Sequence, residues 1–199
     1  YNNTSIIPRG VNTDIFSPEN VTTERLIALS KKLNIDEVET VILLPARLTE
    51  WKGHIYAIEA LSIINNKKIR LIMVGDIQNR YSYKKKLMKY AKKFGVQDQI
   101  HIFGHSRDMA AVMMLSDVVL SCPRKPEAFG RVILEAQAMG RPIVAFNHGG
   151  AKELIKNNKN GWLVEPFDLK ELAKILQKVI NLKQEERHKL AIKSIANVK

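Results

Sequence analysis

The stretch Val118-Val119-Leu120-Ser121-Cys122-Pro123-Arg124-Lys125-Pro126-Glu127-Ala128-Phe129-Gly130-Arg131-Val132-Ile133-Leu134-Glu135-Ala136-Gln137-Ala138-Met139 reads as three pieces in succession. Its first four residues form an apolar run without alternation, the pattern of a strand buried on both faces. Cys122 to Gly130 carries two prolines and a glycine and reads as a loop. From Arg131 the apolar residues fall on helical spacing. A strand that passes through a loop into a helix is the repeating unit of a parallel α/β sheet. Such sheets bind ligands outside the carboxyl ends of their strands, so this loop is where chemistry is expected.

The same alternation extends in both directions. Short apolar runs stand at 40–44, 69–74, 99–103, 142–146 and 161–164, and helical patterns at 55–64, 83–94 and 107–115 lie between them. A helix at 23–33 precedes the first run, and helices at 169–180 and 184–195 close the chain. The predicted architecture is a Rossmann-like open parallel sheet of about six strands, with helices on both faces and right-handed crossovers. Residues 1–18, punctuated by Pro8, Gly10 and Pro18, read as an extended connector, and 19–199 as the domain proper. The chain starts at Tyr1 and shows no basic-then-apolar leader, so it reads as a piece of a longer protein.

Composition narrows the function classes. Hydrophobic residues make up 45% and charged residues 26%, a balance that excludes disorder and collagen. No apolar run approaches the roughly 18 residues of a membrane span. A single cysteine, Cys122, excludes an internal disulfide and a cysteine-rich zinc site and suggests a reducing compartment. The net charge is +12. Ten basic residues against Asp76 and Asp98 put +8 of it between Ala60 and Ile100. That excess either forms the wet face of an ordinary helix or attracts anions such as lipid headgroups and phosphorylated small molecules. Nucleic acid is not expected, because no aromatic–basic interleaving or nucleic-acid signature accompanies the charge.

Two loops besides 122–130 follow strands: 45–53, with Arg47 and Lys52, and 147–150, with His148-Gly149-Gly150. Gly130 lets backbone approach a ligand closely and opens a helix whose first amides form an anion site. Glu135 is the odd member of that helix, among Val132, Ile133, Leu134, Ala136, Ala138 and Met139. Helical side chains lean toward the N-terminus, so Glu135 is expected to point at the strand-end cleft, where a carboxylate suits the paired hydroxyls of a ribose. The plainer alternative makes Glu135 a buried partner for Arg141 and Glu127 a surface residue. Arg47 and Lys52 are either surface charges or a guanidinium fork and an ammonium suited to a diphosphate. His101 and His105 lack metal-like spacing, Asp76 suits a turn, and Cys122 has no adjacent histidine to activate it. No metal-ligand spacing appears.

Taken together, Glu127-Ala128-Phe129-Gly130-Arg131-Val132-Ile133-Leu134-Glu135-Ala136, Ala138-Met139-Gly140-Arg141-Pro142-Ile143-Val144 and Gly149-Gly150-Ala151-Lys152-Glu153 resemble the signature of family 4 glycosyltransferases. These are retaining sugar transferases with two facing Rossmann-like domains, the GT-B architecture. Arg47-Leu48-Thr49-Glu50-Trp51-Lys52-Gly53 is similar to the family's phosphate loop, and Ile7-Pro8-Arg9-Gly10-Val11-Asn12 with Phe16 to the hinge entering its C-terminal domain. Ala128 departs from the family, which often has Pro or Gly there.

The resemblance implies roles. Arg47 and Lys52 hold the donor's diphosphate and stabilise the leaving nucleotide's charge. Glu135 takes the ribose hydroxyls. Glu127, as a catalytic group beside Arg47 and Lys52, holds hydroxyls of the transferred sugar with the backbone of Phe129 and Gly130. Arg131 and the amides of Val132 and Ile133 complete the cradle, and Phe103-Gly104 borders the base. Neither a metal nor a cofactor beyond the UDP-sugar or GDP-sugar substrate is expected. The implied enzyme is a hexosyltransferase acting on a glycan or lipid-linked acceptor, similar to bacterial members that build lipopolysaccharide or related surface glycans. Its acceptor domain is absent from this chain, so the fragment alone is expected to be inactive. The expected location is cytoplasmic and peripheral on the inner face of the membrane. The rival readings are a sugar-nucleotide epimerase of the same architecture and a non-catalytic basic domain for phosphates or nucleic acid.

Overall fold

The six apolar runs become six strands, and the helical patterns fill the spaces between them, in the computed structural model, which describes residues 10–35 and 39–198. The strands are β1 (Thr40–Pro45), β2 (Ile69–Val74), β3 (Ile100–Phe103), β4 (Val118–Ser121), β5 (Ile143–Phe146) and β6 (Trp162–Val164). The helices are α1 (Thr23–Leu33), α2 (His54–Ile64), α3 (Tyr81–Lys93), α4 (Met109–Met114), α5 (Arg131–Ala138), α6 (Ala151–Leu154), α7 (Leu169–Ile180) and α8 (Gln184–Val198). Of the expected connector, residues 1–9 lie outside the described residues. Its remainder makes a turn in which Asn12 Oδ1 accepts from the Asp14 amide at 2.9 Å.

All strand pairs are parallel, in the order β3-β2-β1-β4-β5-β6. The chain builds β1, β2 and β3 outward in one direction. It then returns to the other side of β1 with β4, setting Ile42 beside Val118 and Leu43 beside Val119. Connections therefore leave β1 and β4 toward opposite sides, and a crevice opens above their carboxyl ends, where this topology binds ligands.

Both faces of the sheet are covered, which explains why the strands read as continuous apolar runs. Ile42, Leu44, Leu71 and Met73 pack beneath α2, α3 and α7, and Val41, Leu43, Ile72 and Val74 beneath α1, α4 and α5. Helix ends follow local chemistry. Thr22 Oγ1 accepts from the Arg25 amide at 3.4 Å at the start of α1, and Asn34 ends that helix in the left-handed region at φ 50°. Asp108 caps α4 and also pairs with Arg25 at 2.7 Å, tying α1 to α4.

The structure departs from the expected boundaries in small ways. Strand β3 starts one residue late because 97–99 forms a tight turn, where the Gln99 side-chain amide donates to the carbonyls of Asn66 and Ile69, both at 2.8 Å. Helix α3 starts at Tyr81 and α8 continues to Val198, past the expected 195. Helix α6 was not anticipated, since one turn is too short to show a period.

Candidate functional site

The loop leaving β1 is anchored before it is free to act. The Ala46 and Leu48 amides donate to the carbonyls of Val74 at 2.8 Å and Asp76 at 3.0 Å, and the Leu48 side chain is fully buried. Arg47, between these anchors, is held at the surface. Its guanidinium has no hydrogen-bond or ion-pair partner among the described residues. A short 3-10 turn, Glu50–Lys52, follows and ends at Gly53 in the left-handed region at φ 77°. A Cβ at Gly53 would lie 1.8 Å from the Cys122 carbonyl oxygen, so only glycine lets this loop touch the loop after β4. The Arg124 amide closes the contact by donating to the Trp51 carbonyl at 2.6 Å.

This stitching brings Lys52 to Glu127, 75 residues away, where the two side chains form an ion pair. The lysine ammonium also lies over the Trp51 ring, 4.3 Å from its centroid. Glu127 is held in turn by the loop after β5. The Gly150 amide donates to the Glu127 carbonyl at 2.9 Å, and side chains at Gly149 or Gly150 would strike the Glu127 or Phe129 carbonyls. The glycine pair thus serves packing of the loop backbone. Burial holds His148 below the ordinary imidazole range, and the Pro123 carbonyl and Glu127 oppose that shift.

Gly130 enters α5 at φ 85°. The amides of Arg131 and Val132 have no acceptor among the described residues. Ile133 corrects the expectation that its amide is also free. Its N–H donates to the Gly130 carbonyl at 2.9 Å, because the first turn is tightened in the manner common at helix ends.

Glu135 is buried, and its carboxylate meets Arg131, one turn toward the N-terminus, at 3.2 Å. The side chain therefore leans toward the N-terminal end of α5, as helical geometry requires. Burial raises its pKa and the Arg131 guanidinium opposes the rise. The alternative partner, Arg141, lies elsewhere, donating to the Ser116 carbonyl at 3.3 Å. Phe129 is half-buried, and its carbonyl is the atom against which Gly150 packs.

Arg47, Lys52, Glu127, Phe129, Gly130, Arg131, Val132, Ile133 and Glu135 thus occupy two adjoining strand-end loops and one helix start. Phe103 and Gly104 share that sheet edge but end β3, two strands away from β1. Lys32 lies over the Phe103 ring at 5.2 Å, and Phe103 packs against the apolar cluster that also holds Val132 and Ile133. Asp76 makes a turn, its Oδ1 accepting from the Gln78 amide at 2.8 Å. Cys122 is buried, with its thiol pushed up to about 12. Among the described residues no group of three or more His, Cys, Asp or Glu is placed to hold a metal ion, and no helix is long and apolar enough to cross a membrane.

The Trp51 ring seats Lys52 within the phosphate loop. One feature escaped the sequence reading. His54, directly after Gly53, is fully buried beneath the loop, its ring edge-on to Tyr83 at 5.9 Å. Neither of its nitrogens has a hydrogen-bond partner, and burial pushes its pKa down to about 4 against a weaker pull from the backbone of Thr49 and Ala46.

Known proteins resemble this chain in sequence and fold. A glycosyltransferase from Rickettsia africae superposes with a TM-score of 0.92 at 36% identity, covering 96% of this chain and 50% of that one. Anabaena Alr3699/HepE, solved in complex with UDP and glucose, has a TM-score of 0.85 at 29% identity over 94% of this chain and 50% of its own. The lipopolysaccharide 1,2-N-acetylglucosaminetransferase of Salmonella typhimurium is 28% identical over 96% of this chain and 50% of its own length. The chain therefore spans about half the length of these relatives. Residues 27–196, which include all the site residues above, match the model of the glycosyl transferases group 1 family, and the chain belongs to that family.

Proposed function

We propose that this chain is the donor-binding domain of a retaining hexosyltransferase of family 4. It serves transfer of a hexose from a nucleoside diphosphate sugar, uridine rather than guanosine, to a glycan or lipid-linked acceptor. One observation carries the reading: Lys52 and Glu127, from the two loops at the topological switch point, meet beside the two free amides that open α5. Membership in the group 1 family supports transfer, the UDP bound to the Anabaena neighbour supports uridine, and the Salmonella relative supports lipopolysaccharide or a related surface glycan.

In this reading the diphosphate lies between Arg47, Lys52 and the amides of Arg131 and Val132. Cations and a helix N-terminus there stabilise the negative charge that grows as the bond from the sugar's anomeric carbon to the β-phosphate breaks. No metal or further cofactor is needed for that task. Glu135 accepts from the ribose hydroxyls, and Glu127 with the backbone of Phe129 and Gly130 from those of the hexose. Phe103 and Gly104 border the base. The acceptor hydroxyl forms the new bond to the anomeric carbon and gives up its proton. Acceptor recognition and further catalytic groups belong to an N-terminal domain facing the crevice, so this chain alone binds donor without transferring sugar. The part of the connector before Thr23 leads from that domain.

The reading also places the enzyme in the cytoplasm, peripheral on the inner membrane face. Helix α3 buries Tyr83, Leu87 and Ala91 and turns Lys85, Lys89, Lys92 and Lys93 outward, a face suited to anionic headgroups. Flotation with anionic vesicles tests this part. Loss of binding on changing Lys85, Lys89, Lys92 and Lys93 to Glu supports it, and unchanged binding overturns it.

Isothermal titration tests the donor site. UDP or GDP is expected to bind. Glu135→Ala and Arg47→Ala are each expected to weaken that binding by roughly 10- to 100-fold, the loss of a charge-assisted contact, and EDTA is expected to change nothing. Equal binding by both variants refutes the site, and tight salt-sensitive DNA binding favours a basic binding domain instead.

A further inference from the structure

The site holds its charges against one another. Lys52 pairs with Glu127, and Arg131 with Glu135 at 3.2 Å. The Lys52 and Glu127 side chains are 17% and 16% exposed, so neither charge is well solvated. Arg47 and Arg131 are both exposed, and Arg47 has no partner among the described residues. An anion therefore engages Arg47 without breaking an ion pair and reaches Lys52 only by competing with Glu127.

Resting on the reading above, that this crevice takes a nucleoside diphosphate sugar, we propose that Glu127 makes the site discriminate the sugar-loaded donor from the bare nucleoside diphosphate. A lysine ammonium has three donors but a single positive charge. When a diphosphate draws on it, Glu127 either loses its partner or shares it with phosphate oxygens of like charge. Both outcomes are unfavourable for a shielded carboxylate. The Glu127 backbone cannot carry the carboxylate away, because its carbonyl accepts from the Gly150 amide at 2.9 Å and Gly149 packs against it with no room for a Cβ.

The hexose changes the balance. Its hydroxyls donate to the carboxylate that the diphosphate has stripped, replacing the lost bonds with charge-assisted ones. The donor thus satisfies both members of the Lys52–Glu127 pair, whereas the nucleoside diphosphate left after transfer satisfies only the lysine. Re-forming the ion pair then favours release of that product. The Trp51 ring lies 4.3 Å from the ammonium and adds a cation–π contact on the side of Lys52 that it covers.

The test is calorimetric titration of the chain with UDP and UDP-glucose, and with GDP and GDP-mannose, comparing the parent with Glu127→Gln. Glutamine keeps the shape and removes the charge. The variant is expected to bind the bare diphosphate three- to tenfold more tightly than the parent. The ratio of donor to diphosphate affinity is expected to fall at least threefold. Glu127→Ala, which also removes the charge, is expected to show the same gain for the bare diphosphate, so the result does not hang on one variant. Equal or weaker diphosphate binding by both variants overturns the proposal while leaving the donor-site reading standing. A parent chain that binds none of the four nucleotides overturns both.

Discussion

Acidification from pH 7.5 to 5 is expected to destabilise the chain through His54. The imidazole is buried beneath the loop that carries Arg47 and Lys52, without a hydrogen-bond partner at either nitrogen, and its pKa falls from 6.5 to about 4. The unfolded chain takes up a proton near pH 6.5 that the folded chain refuses until about pH 4. Stability from this group is therefore whole above pH 6.5 and lost as pH falls through that window. The full difference is worth about 3 kcal/mol, of which about 2 kcal/mol is gone at pH 5. At roughly 2–4 °C per kcal/mol for a domain of this size, that is a drop in melting temperature of roughly 4–8 °C. The assay is thermal or urea unfolding of the parent and of His54→Leu at both pH values. The leucine variant has its own stability at pH 7.5, so the readout is the pH-dependent part alone, and the shifts of His101 and His148 are common to both proteins. The variant is expected to lack the roughly 2 kcal/mol step. If it loses as much stability as the parent, the buried imidazole is not what refuses the proton, and the account of the loop's underside fails.

Gly53→Ala is expected to cost roughly 1–2 kcal/mol for the left-handed backbone alone, and more because its Cβ would sit 1.8 Å from the Cys122 carbonyl oxygen. Since that contact sets Lys52 beside Glu127, calorimetry is expected to show weakened UDP binding at a temperature where the variant is still folded. Glu135→Gln is expected to raise the melting temperature at pH 7.5 and weaken UDP binding together. Burial lifts the Glu135 pKa in the folded chain, so the carboxylate opposes folding once pH rises through that value, and a neutral amide does not.

The strand-to-helix alternation was legible because burial on both faces leaves strands uniformly apolar, while helices keep a period. The runs at 69–74 and 118–121 match β2 and β4 at both ends. Glu135 was legible for a related reason, since a carboxylate among Val132, Ile133, Leu134 and Ala136 has no solvent to turn to. Helix direction leans it toward the N-terminal end of α5, where it meets Arg131 one turn back. Helix α6 and the short 97–99 turn were not legible, because neither is long enough to display a period.

What the amino-acid order determined by itself is the local content: which segments are strands, which loops follow them, and which ionisable residues those loops carry. Only the tertiary structure decided which loops meet. Lys52 and Glu127 are joined because β4 returns beside β1, because Gly53 has no side chain to hold the Cys122 carbonyl away, and because the second loop is fastened by Gly150. The same packing fixed that the Ile133 amide is engaged, that Trp51 seats the lysine, and that Arg47 is exposed without an ion-pair partner among the described residues. Sequence spacing sets the geometry of neighbours along one element. The partner of a charge 75 residues away is set by where the sheet reverses and by how closely two backbones can approach.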